Sequence, residues 1–182
     1  MKRRGLLFLL LNLLLLASLA APAQRRHDPL DKDEINQLRD AMLEPDDRLK
    51  LYVSFARDRM TKLEQMRADP KTTDRPQKTH DLLQDFLSIY DELNDNVDMY
   101  VGRKDDIRKP LKLVIEADTE FQAKLRALKD AAHTDAAESK QYEFLLTNAI
   151  ETVDSSADDH RSTVPEVEEY VKRKKKTSKE AK

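Results

Sequence analysis

Residues 79–132 carry two apolar stripes on either side of one glycine, and no other feature limits the fold as much. Leu82, Phe86, Ile89, Leu93, Val97 and Tyr100 recur at spacings of three and four. After Gly102, so do Ile107, Leu111, Val114, Ala117, Phe121, Leu125, Leu128 and Ala132. That period places the apolar groups along one side of each of two long helices. Gly102 is the only glycine outside the extreme N-terminus. Glycine takes a left-handed C′ position without steric cost, so Gly102 is expected to stop the first helix. Two stripes joined by so short a segment must face each other or share a third partner.

The composition fits long solvated helices. Charged residues make up 37% of the 182-residue chain and aromatics 5%, with no Trp, which suits narrow apolar seams better than a sheet-based core. With two glycines, a Gly-rich phosphate loop is excluded. With no cysteine, so are disulfides, thiolate metal sites and a thiol nucleophile. The net charge of −2 hides an asymmetry. Residues 171–182 hold seven basic groups against Glu180. Setting those aside with Lys2, Arg3 and Arg4 leaves 23 basic and 34 acidic residues in 24–170, a net charge of −11. Such a body is a poor match for nucleic acid, whose phosphates need clustered Lys and Arg.

Residues 1–23 read as a signal peptide. Lys2-Arg3-Arg4 is the basic n-region, Gly5 to Leu16 the apolar h-region, and Ala21-Pro22-Ala23 the small-residue cleavage site. The apolar run is short for a membrane span, so cleavage before Gln24 and a periplasmic or secreted location are expected, with a retained anchor as the other possibility. Residues 31–43 suggest a short helix with Ile35, Leu38 and Met42 inward. Pro45 opens a longer helix, with Asp46 and Asp47 in its first turn. Its seam is Leu49, Val53, Ala56, Met60 and Leu63, widened by Tyr52, Phe55 and Met66. A loop rich in Pro and Thr follows Ala68, and Thr79 is the expected N-cap of the next helix. Asp105 or Asp106 caps its successor. His133-Thr134-Asp135 marks a further break, with Asp135 and Glu138 at capping-box spacing. The next helix, 135–161, carries Tyr142, Leu146, Ala149, Val153, Ala157 and His160 on one face. A short last helix starts at Thr163-Val164-Pro165-Glu166, and 172–182 is expected to be a disordered basic tail.

The expected fold is therefore all-α: an up-down-up-down four-helix bundle over 24–171, with a short extra helix at each end. The long spans are 45–68, 79–101, 106–132 and 135–161, and short joins between near-equal helices favour that topology.

No hydrolase, P-loop or zincin motif is present. A di-iron bundle needs Glu-x-x-His twice, but the residues three before His80, His133 and His160 are Gln77, Asp130 and Ala157. Asn94-x-Asn96-x-Asp98 with Asp105 has a faint EF-hand spacing, with Met99 where the loop needs Gly. His160 is the one candidate cofactor residue. Its spacing places it on the apolar face near an open end of the bundle, in company with Met42 and Met99. A His and a Met at one end of an exported four-helix bundle resembles the soluble periplasmic b-type cytochromes. That resemblance implies a haem between an axial Met on the first helix and an axial His on the last. His160 matches the second position, whereas the first long helix has no Met in its opening turns.

The run Glu44-Pro45-Asp46-Asp47-Arg48, continuing to Ala56-Arg57-Asp58-Arg59 and Leu63-Glu64, is similar to helices of uncharacterised exported bacterial proteins, and implies export more than an activity. Leu146-Thr147-Asn148-Ala149-Ile150 resembles the Leu-Thr-x-x-Gln motif of periplasmic cradle-type chaperones, but departs from it at Ile150.

These features point to an exported, non-enzymatic binding or adaptor protein with no resident cofactor or metal. The alternatives are a small-ligand carrier, with haem or metal near His160, and a periplasmic stress chaperone. Lys172, Arg173, Lys174, Lys175 and Lys176 are the expected contacts for an anionic envelope surface or a protein partner, either as a tether or simply as a solvating tail.

Overall fold

The computed structural model describes residues 28–132 and 136–180. The expected signal peptide and the expected break at His133–Asp135 lie outside the described residues. Six helices and no strand are present among the described residues: α1 (Lys32–Asp40), α2 (Pro45–Ala68), α3 (Arg75–Gly102), α4 (Arg108–Ala132), α5 (Ala136–Ser139) and α6 (Glu143–Glu180). None of them is long and apolar enough to cross a membrane.

The apolar stripes make the core. Leu49, Ala56, Phe86, Leu93, Val114, Ala117, Phe121, Leu125, Ala149 and Val153 are all fully enclosed. The closest helix pairs are α2 with α3 and α4 with α6, and α2 also packs on α4 and α3 on α6. The helices on either side of the Gly102 break are thus joined through shared partners. They meet across the core by long side chains: the Phe121 ring stands edge-on to Phe86 at 5.1 Å and to Tyr90 at 6.0 Å. Ring pairs in that arrangement contribute about 0.5–1.5 kcal/mol beyond their buried area.

α1 has a complete capping box. The Asp31 carboxylate accepts from the Glu34 backbone and Glu34 reaches back to the Asp31 N–H. A buried ion pair fixes it to α2, with Arg59 Nη1 donating to Glu34 Oε1 at 2.8 Å and Arg59 Nη2 to the Pro29 carbonyl. Met42, expected inward, follows the end of α1 and is 62% exposed.

The turns depart from expectation in two places. Gly102 is the last helical residue of α3 and not left-handed. The left-handed residue is Lys104, at φ 59°. The Lys104 N–H bonds the Val101 carbonyl and the Asp105 N–H bonds the Tyr100 carbonyl, which is the double closure of a Schellman motif with Lys104 at C′. At the other end, α3 begins at Arg75, after a left-handed Asp74. Pro76 suits the first turn, so Thr79 is not an N-cap. It lies inside the helix, enclosed, and accepts from Arg67. Asp106 stands two residues before α4, where the Arg108 guanidinium and then its backbone N–H hold the Asp106 carboxyl below the usual carboxylate range.

The largest departure is α6. The helix expected over 135–161 is divided, with a turn at 140–142 between α5 and α6. α6 then runs through Pro165 without ending and spans 38 residues, about 57 Å. Proline removes one helix bond and crowds the carbonyl four residues back, at a cost of about 3 kcal/mol in a helix interior. Packing beyond it offsets that cost. Val167 and Val171 are buried, and the Tyr170 hydroxyl donates to the Asp105 carbonyl at 2.6 Å. Residues 172–180, expected to be a disordered tail, are the last turns of this helix.

Candidate functional site

Two groups of polar residues stand out. The first is inside the helical core. Asp118 lies on α4 beside the apolar stripe and is fully buried. Its Oδ1 accepts from the Tyr90 hydroxyl of α3 at 2.7 Å, and its Oδ2 faces His160 Nδ1 of α6 at 2.9 Å. Burial, with the Asp118 carboxylate alongside, pushes the Tyr90 phenol far above its ordinary value, so Tyr90 is a donor. A carboxylate facing Nδ1 selects the tautomer with its proton there. Three helices are thus tied by one carboxylate.

His160 is therefore not at an open end. It is 4% exposed, level with the middle of α4, while Met42 and Met99 are both exposed elsewhere. The imidazole is enclosed and bonded to Asp118, an arrangement that fixes helix positions and offers substrate no approach. Two residues of the EF-hand-like spacing are also engaged in packing. Asn94 donates to Ser156 on α6, and Asn96 accepts from Arg48 and donates to the Glu92 carbonyl. No group of three His, Asp or Glu side chains converges as a metal site among the described residues.

The second group is at the end where α3 turns into α4. The Tyr170–Asp105 bond sets α6 level with that turn, so the ten residues after Tyr170 carry the helix about 15 Å further. Lys172, Arg173, Lys174, Lys175 and Lys176 all lie on this extension and are exposed. Glu168 faces Lys172 at 3.8 Å and Glu180 faces Lys176 at 3.9 Å, while Glu169 holds Arg173. The inner side of α6 changes along its length: Val164, Val167 and Val171 are followed at the same spacing by Lys174 and Ser178. Between this side and the α3–α4 turn lies an open notch of about 690 Å³, lined by Lys104 and Asp106 from the turn and by Val171, Lys172, Lys174, Lys175, Lys176 and Ser178 from α6. Lys104 could not be placed here from the sequence, because its position depends on where α6 runs.

No protein-family model, curated protein or solved structure matches this chain. The charged residues of the run from Glu44 to Glu64 hold helices together: Arg48 bonds Asn96 and the Leu38 carbonyl, Arg57 bonds Glu120, and Glu64 accepts from Lys124.

Proposed function

We propose that this chain is an exported, non-enzymatic helical-bundle protein that acts by binding, and that its contact is the basic end of α6. The finer topology belongs to the same reading: α2, α3, α4 and α6 form an up-down-up-down bundle, with α1 and α5 as accessory helices. The short joins at 69–74 and 103–107 between long helices support it. Export is carried by the n-, h- and cleavage regions of residues 1–23.

The single observation behind the binding role is that the most basic stretch of an acidic protein is presented on a helix fixed to the bundle at Tyr170. Each Lys or Arg near an anionic surface contributes about 1 kcal/mol, decaying within a Debye length. The partner is an anionic envelope surface, and binding tightens as salt falls. The carrier reading has less behind it, because the His160 ring is enclosed and engaged with Asp118.

The test is co-sedimentation of the mature protein with phosphatidylglycerol-containing and pure phosphatidylcholine vesicles across salt. A variant with Lys172, Arg173, Lys174, Lys175 and Lys176 all changed to Gln is run beside it. Binding only to anionic vesicles, lost at high salt and in the variant, is the expected result. Equal partitioning of the two proteins on anionic vesicles at low salt would remove the proposal.

A further inference from the structure

We propose that the notch between the α3–α4 turn and the end of α6 is a phosphate-binding site, with Lys104 as its second arm opposite Lys174 and Lys175. The inference rests on the binding role proposed above and deepens it, by assigning a defined site and a ligand chemistry.

Three observations carry it. First, Lys104 lines the same notch as Lys174 and Lys175 although it comes from a different element. None of these three lysines comes within ion-pair distance of a carboxylate among the described residues, and only Lys175 acts on Asp106, whose carboxyl its charge helps to hold low, whereas Lys172 and Lys176 have Glu168 and Glu180. The one carboxylate in the notch, Asp106, is already taken by Arg108 at 2.6 and 2.7 Å. Second, Lys104 is held in the left-handed region at φ 59°, at a C′ position that glycine or asparagine fills with less strain. Strain of this kind persists where the surrounding structure fixes it, and it clusters at ligand sites. Here the Tyr170–Asp105 bond fixes the neighbouring residue. Third, the free cations are all ammonium groups. Arg108 is engaged by Asp106, and Arg103 faces Asp105 at 3.1 Å. Lysine ammonium groups engage phosphate oxygens as point charges, so cations of this kind on two walls suit phosphate. Positive charge on both walls suits a ligand with more than one phosphate group, either the headgroups of an anionic lipid surface or a free polyphosphate.

The experiment uses the mature full chain with three probes: inorganic tripolyphosphate, vesicles of phosphatidylglycerol and phosphatidylcholine in equal parts, and citrate as a carboxylate control. Lys104→Gly is the informative variant, because it removes the cation while relieving the backbone. It is expected to melt at a higher temperature than the parent and yet to bind phosphate probes about fivefold more weakly at low salt, the change for one lysine at an anionic surface. A weaker binder that is also a more stable protein cannot be explained by misfolding. Binding of tripolyphosphate and vesicles together, or of either alone, supports the site, and the pattern identifies the phosphate source. Unchanged affinity of Lys104→Gly for every probe that binds the parent overturns the site, as does citrate binding as tightly as tripolyphosphate or no binding of either phosphate probe. If Lys104→Gly is silent while Lys174→Gln with Lys175→Gln releases the vesicles, the binding role stands and the notch falls. If both variants bind vesicles like the parent, both fall.

Discussion

Asp118 is the most consequential single residue in the core, because two buried partners depend on it. Asp118→Ala leaves the Tyr90 hydroxyl and His160 Nδ1 unsatisfied in an enclosed site. Removing one member of such a buried group costs on the order of 3–5 kcal/mol, and the midpoint of a urea titration should fall accordingly. Gly102 works in the opposite direction. It is helical, and a Cβ added there meets nothing within 4 Å. Gly102→Ala should therefore stabilise the protein, by up to about 1 kcal/mol, read as a higher melting temperature. The tyrosines set the alkaline limit. Burial raises the phenols of Tyr52, Tyr90, Tyr100 and Tyr170 above their ordinary value. A phenol raised in the folded state adds stability that is complete below its unfolded value and is lost as pH climbs past it. Melting temperature should thus fall once pH passes about 10, and Tyr90 phenolate absorbance should appear only with unfolding.

At the scale of elements, α6 depends on a few contacts beyond Pro165. Tyr170→Phe removes the hydroxyl that holds the α3–α4 turn. It should cost about 1 kcal/mol, and amide exchange should quicken over 166–180 while 146–160 stays protected. The sequence makes the four long stripes readable because each keeps a 3.6-residue period, and every residue assigned to the α4 stripe is buried. It does not reveal the continuity of α6. Pro165 reads locally as a helix start, and only the burial of Val167 and Val171 against distant segments overrides it. The same holds for the left-handed residue. Glycine is the local favourite, but the left-handed position falls two residues later, at Lys104, where the Schellman bonds close. His160 is legible as a member of an apolar face, but its partner is 42 positions away, and nothing in the local pattern marks Asp118.

For the whole molecule, the separation of charge matters more than its sum. An acidic helical body holds a basic helix end in a fixed direction, so the helix and the binding stand or fall together. Backbone NMR of the mature chain tests it most directly, first alone and then with phosphatidylglycerol-containing vesicles. Helical carbon shifts should continue without interruption from Glu143 through Pro165 to Ser178. Vesicle-induced loss of signal should concentrate at Lys104 and residues 171–178, and should disappear at high salt. Random-coil shifts beyond Val171, or signal loss spread evenly over the acidic faces of α2 and α3, would contradict the account.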